Sequence, residues 1–125
     1  YEKFDLSADT LTISNMIPQD IIEDSQWLAA SSNINENFAL FEAIHDSAPE
    51  IAGKNIANPS AIIQAAILML EHIGQIKTAE LIQNAWLQTL TDGIHTADIY
   101  KKRISKEKVG THEFAEAVIE RFIPY

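Results

Sequence analysis

The sequence predicts an α/β fold of two or three strands with three or four helices. Three observations lead there. Residues 38–44, Phe-Ala-Leu-Phe-Glu-Ala-Ile, carry the aromatic and branched side chains that strands favour. Pro49 and Gly53 then punctuate the backbone with a long turn. Asn58-Pro59 opens an apolar segment: Asn is a favoured N-cap, and Pro suits the first helical position because its missing N–H would be unpaired there. A strand that feeds through a small-residue loop into a helix start is where α/β proteins place anionic ligands.

Taken in order, residues 1–13 suggest one or two short strands, with Phe4 and Leu6, then Leu11 and Ile13, alternating with polar neighbours. Residues 7–10 form a turn. Asp20 and Asp24 stand four apart, so a helix would bring both carboxylates to one face. Such a pair also occurs on solvated helix faces. From Pro59 a helix runs to about His72, with Gly74 as its stop. Ile62, Ile63, Ala66, Ile67, Met69, Leu70 and Ile73 leave it little polar face, so burial on several sides is expected. A second helix is expected from Thr78 as cap to Asp92-Gly93, with Leu81, Ile82, Ala85, Trp86 and Leu90 as its stripe. Residues 93–100 read as a short strand or extended loop. A last helix, capped by Thr111, is expected to bury Phe114, Ala117, Val118 and Phe122.

The chain has 125 residues, 46% hydrophobic, which suits a single folded domain. Its longest apolar run, Ala65 to Leu70, is too short to span a bilayer. Tyr1 to Asp5 has no apolar region of the signal-peptide kind, and cysteine is absent, so a cytoplasmic home is expected. The net charge of −9 disfavours nucleic acid. Five of the nine basic residues crowd into Lys101 to Lys108, which reads as a solvated loop.

Residues 41–59 follow the pattern F-E-x-x-H-G-[ST]-A-P-x-x-A-G-x-x-x-x-N-P, with Asp46 in place of the Gly. This resembles the nucleotide-binding loop of the decarboxylating isocitrate and isopropylmalate dehydrogenases. Residues 31–40 and the later GIHTADIY and KVGTHEFAEAVIERF extend the likeness, which covers residues 31–125 and is nearest to the bacterial isocitrate enzymes. The resemblance implies the C-terminal part of that fold, with residues 1–37 a divergent metal-motif region and 38–125 a nucleotide-binding region. It implies oxidation of isocitrate by NAD(P)+ with metal-assisted decarboxylation to 2-oxoglutarate. Members of the family are much longer, and their first half supplies substrate-binding arginines and acid–base residues. The chain is therefore expected to be incomplete and inactive alone, with a homodimer or a protein partner supplying the rest. A non-catalytic binding or regulatory module, or part of an isopropylmalate dehydrogenase, stays open as the alternative.

The same resemblance lays His45, Asp46, Ser47 and Ala48 along the adenosine ribose and pyrophosphate. It sets Asn58 and Asp98 at the adenine. Members using NADP tend to carry Lys-Tyr where this chain has Glu50-Ile51. A carboxylate accepts hydrogen bonds from a free ribose diol and repels a 2′-phosphate, so NAD is expected ahead of NADP. Asp46 opposes binding: a like charge at ~4 Å costs on the order of 1–4 kcal/mol at the dielectric of water or a protein surface. In the family's acidic motif, with one inserted residue, Asp20 and Asp24 match the metal ligands, which implies Mg²⁺ or Mn²⁺ on oxygen ligands. Asn35 stands where the family has Gly, and both tolerate a left-handed backbone. Trp27 is expected to cover apolar surface near a shortened helix. His72, His95 and His112 have no ligand spacing and read as structural.

Overall fold

The computed structural model describes residues 2–3, 30–45 and 47–122. Of the expectations for the first thirty residues, the turn at 7–10, the acidic pair Asp20 and Asp24, and Trp27 lie outside the described residues, as does Asp46. Strand β1 (Glu2–Lys3), β2 (Ala30–Ile34) and β3 (Ala39–Ala43) form one antiparallel sheet in that order. Its register pairs Lys3 with Ser31, and Ala30 with Ala43. The β2–β3 turn closes with Asn35 N–H donating to Phe38 O at 2.9 Å. Asn35 serves here through its side chain: Oδ1 accepts from the N–H groups of Asn37 and Phe38. It is not among the residues with positive φ, so the expectation of left-handed backbone gives way to an Asx turn.

Helix α1 (Ser60–His72) packs across β2 and β3, and α2 (Ile76–Thr91) packs on α1. Between them Gly74, at φ 86°, is the left-handed stop that the sequence promised. Gln75 N–H reaches back to Leu70 O at 2.8 Å, and Gly74 N–H to Glu71 O at 3.1 Å. These two bonds satisfy carbonyls that the helix end would otherwise leave open. Helix α2 starts at Ile76 with Gln75 before it, so Thr78 lies inside the first turn and is no cap. Strand β4 (Ile94–His95) is shorter than expected and pairs in parallel with β5 (Glu107–Lys108), at the end of the basic run. Lys102, Arg103, Lys106 and Lys108 in that run are exposed, as expected.

Helix α3 (Thr111–Glu120) follows Gly110, and Thr111 is its first residue rather than its cap. Phe114, Ala117 and Val118 are buried, whereas Phe122 is 39% exposed, just past the helix end. The main core gathers Trp86 and Leu90 of α2, Phe114 and Val118 of α3, and Ile99 from the intervening loop. Trp86 is wholly buried and donates through Nε1 to Ser60 Oγ at 2.8 Å, which fastens α1 to this core.

Helix α1 departs from the expectation of burial on several sides. Its buried positions are Ser60, Ala61, Gln64, Ala65 and Ile67, while Ile62, Met69 and Ile73 are exposed. Four of the five buried positions are small or polar, so the buried face does not follow the apolar stripe read from the sequence.

Candidate functional site

The cleft grows out of the end of β3. Beyond Ala43 the chain passes His45 and Ser47 to Ala48, whose φ 46° and ψ 58° place it in the left-handed region. A left-handed residue with a Cβ costs roughly 1–2 kcal/mol, so the surrounding bonds hold Ala48 there. Its carbonyl accepts from Ile51 N–H at 3.1 Å, closing a 3-10 turn over Pro49–Ile51. A second left-handed pair, Gly53 at φ 78° and Asn55 at φ 55°, turns the loop back towards α1.

The helix begins at Ser60 with Pro59 in the cap position, so Asn58 stands one residue before the cap that its residue type suggested, and Pro59 is not the first helical residue. Asn58 Oδ1 accepts from Ser60 N–H at 2.9 Å, and Ile63 N–H donates to Pro59 O at 3.1 Å. The side chain does a second thing. Its Nδ2 donates to Asp98 Oδ2 at 3.1 Å, joining the loop before α1 to the loop after β4. Asp98 also accepts from Thr96 Oγ1. Asn58 is 2% exposed, and each end of its amide keeps one bonding position beyond these contacts.

The loop, the start of α1 and the start of α3 enclose an open cleft of about 650 Å³. Of the residues the sequence singled out, His45, Ser47, Ala48, Ile51 and Asn58 line it. Asp98 stands behind the wall and reaches it through Asn58. Glu50 is exposed and outside the lining. Among the described residues no Lys or Arg lines the cleft, which is walled mostly by small and branched apolar side chains with a few polar groups. That balance suits a flat, uncharged heterocycle and a ribose more than a phosphate.

Two contributors escaped the sequence reading. Asn55 lines the cleft and donates through Nδ2 to Glu113 Oε1 at 2.7 Å. That hydrogen bond is the main reason the Glu113 carboxyl is held below its ordinary value. Thr111 lines the cleft too, and its hydroxyl donates to Ala57 O. Both act across a long stretch of sequence, so no local pattern announced them.

The three histidines read as structural each have a partner within the protein. His95 is buried between Leu90 O, 3.0 Å from its Nε2, and Ser105 Oγ, 2.5 Å from its Nδ1. His72 lies against Phe41 with ring centroids 5.6 Å apart, and His112 pairs with Glu116 at 2.9 Å. Among the described residues no group of three or more His, Cys, Asp or Glu is placed to hold a metal ion. Nor is any described helix long and apolar enough to cross a membrane.

Comparison with known proteins bears on the family and the fold. A family described as isocitrate/isopropylmalate dehydrogenase matches residues 21–118. The chain is 55% identical over 120 residues to the isocitrate dehydrogenase [NADP] of Rickettsia bellii, a match covering 90% of this chain and 25% of that protein. It is 46% identical over 91 residues to the 3-isopropylmalate dehydrogenase of Methanothermobacter thermautotrophicus, covering 73% of this chain and 26% of that one. Among solved structures, isocitrate dehydrogenase from Methylococcus capsulatus superposes with a TM-score of 0.70 at 44% identity, over 78% of this chain and 28% of its own. The chain thus spans about a quarter of the length of the curated relatives it matches. With the loop motif, the cleft and these matches together, the chain belongs to the isocitrate/isopropylmalate dehydrogenase family.

Proposed function

We propose that this chain forms the adenosine-binding wall of a nicotinamide-dinucleotide dehydrogenase that oxidises isocitrate, and that it does not turn over isocitrate alone. The observation that carries this reading is the Asn58–Asp98 pair at the back of the cleft. It fixes two segments, forty residues apart, as one polar edge beside an apolar floor. An adenine ring needs such an arrangement: a flat apolar seat and a donor–acceptor edge. His45 and Ser47 are then placed along the ribose side. The nicotinamide end, the isocitrate site and the groups that move protons are assigned to the rest of a complete enzyme, supplied by a second copy or a partner chain.

The dinucleotide is assigned as NADP, with NAD as its competitor. The bacterial relative at 55% identity carries NADP in its name. Glu50, whose carboxylate argued for NAD, stands outside the cleft lining. The metal assignment rests on Asp20 and Asp24 alone, and a cytoplasmic home is part of the same reading.

Calorimetric titration of the purified chain with NADP+, NAD+ and Mg²⁺ tests this. Saturable NADP+ binding, tighter than that of NAD+, is expected. NAD+ binding the tighter would return the assignment to the Glu50-Ile51 argument. No heat with either dinucleotide would remove the adenosine site. Mixing the chain with the remaining part of a relative, lacking the segment that this chain matches, should restore isocitrate-dependent reduction of NADP+.

A further inference from the structure

Asn55 belongs to the cleft loop, yet most of its bonds go to α3. Its carbonyl accepts from Thr111 N–H at 3.2 Å, and its Oδ1 from His112 N–H at 3.0 Å. Its Nδ2 donates to Glu113 Oε1 at 2.7 Å. The first N–H groups of a helix lack partners within it, and a local cap normally supplies them. Here the residue in the cap position is Gly110, with no side chain to offer. A Cβ at Gly110 would overlap Asn55 and Glu113, so glycine is what allows Asn55 to come this close and cap the helix from 57 residues away. Two residues on, Ala57 O accepts from Thr111 Oγ1. The stretch from Asn55 to Ala57 is therefore stitched to α3 at both ends. Asn58 follows at once, with Asp98 behind it.

We propose that Asn55 is a positioning residue for the cleft: its clamp on α3 holds residues 55–58 in place, and so sets how tightly the cleft retains the adenosine part of a dinucleotide. The ligand in this statement rests on the function proposed above; the clamp itself does not. A loop already held in its bound shape spares the ordering cost that a loose one meets on binding. The clamp also occupies the start of α3, so that helix end offers its N–H groups to Asn55 rather than to a phosphate.

Three variants of the chain test it. Asn55→Gly keeps the left-handed backbone free of strain and removes both side-chain bonds. Glu113→Gln keeps an acceptor for Asn55 Nδ2. Val118→Ala lowers stability from the core, away from the cleft. Amide exchange on the ligand-free chain and NADP+ titration are the two readouts. Asn55→Gly is expected to speed exchange at His112 by about tenfold. It should weaken NADP+ binding by roughly three- to tenfold. Glu113→Gln should stay near wild type in both. Val118→Ala should lose Tm while keeping its NADP+ affinity. Unchanged exchange at His112 in Asn55→Gly would overturn the clamp. Equal loss of affinity in Asn55→Gly and Val118→Ala at matched Tm would reduce Asn55 to a stability residue. If the wild type takes no NADP+, the adenosine assignment falls. The clamp is then decided by exchange at residues 56–58, which must rise in Asn55→Gly for it to stand.

Discussion

Gln64 shows how a single side chain can stand against the fold that holds it. It is fully buried on the inner face of α1, and among the described residues neither Oε1 nor Nε2 has a hydrogen-bond partner. A buried polar group left unpaired costs about 1–3 kcal/mol. Methionine has nearly the same unbranched shape and no polar atoms to satisfy. Gln64→Met is therefore expected to stabilise the chain by about 1–3 kcal/mol, seen as a higher urea midpoint with an unchanged slope. A lower midpoint would mean that the amide is bonded in solution. Ser60, one turn earlier, is the contrast: its buried hydroxyl accepts the Trp86 N–H, so its polarity is matched. Asn58 and Asn55 divide on legibility in the same way. That Asn58 would bond the start of α1 was readable, though not its position one residue before the cap, because its partner lies two residues on. The role of Asn55 was not, because its partners are on another helix and only the fold brings them near.

At the scale of elements, the join between α2, β4 and β5 carries a titratable group. A carbonyl can only accept, so His95 Nε2 carries the hydrogen donated to Leu90 O. Nδ1 is then left to accept from Ser105 Oγ, which itself accepts from Lys101 N–H. The neutral ring satisfies every partner; a second proton would orphan the serine hydroxyl and bury a charge. Burial is the main reason the imidazole is held below its ordinary value of 6.5, and the bond to Leu90 and the charge of Asp98 oppose it only in part. The unfolded chain therefore takes up a proton that the folded chain refuses. His95 contributes stability that is fully present above 6.5 and is lost as pH falls from there through the folded value. Asp92, held low chiefly by its bond from Arg121, and Glu113 lose their contributions further down, below ordinary values of 3.8 and 4.5. Urea unfolding across the weakly acidic range should show stability falling with pH in the wild type. His95→Gln should flatten that limb while leaving the steeper loss at lower pH. Parallel limbs in the two proteins would place the proton elsewhere. The order of elements around this join was legible from punctuation by glycine and by apolar spacing. The shortness of β4 was not, since two ladder residues leave no periodic trace.

The whole molecule sets eighteen acidic residues against nine basic ones, and gathers five of those nine between Lys101 and Lys108. Its remaining surface is thus more acidic than the net charge of −9 suggests. Composition made this visible; it could not show which apolar residues would stay outside. Ile62, Met69 and Ile73 look like core in the sequence and stand on the surface, while α1 buries Ala61 and Ala65 instead. The ion pair between Arg121 and Asp92, at 2.8 Å, is partly exposed. Such pairs contribute only about 0–1 kcal/mol each. Repulsion among the acidic groups acts over longer distances and pushes the compact state towards unfolding. Salt shortens the reach of that repulsion to about 8 Å at physiological ionic strength. Raising sodium chloride from about 0.01 M to 0.15 M should therefore raise Tm by roughly 2–4 °C, as far as ~1 kcal/mol of relieved repulsion would carry a domain of this size. Scanning calorimetry decides it. A falling Tm would mean that the ion pairs outweigh the self-repulsion, and that the basic run is bonded to acidic groups rather than solvated.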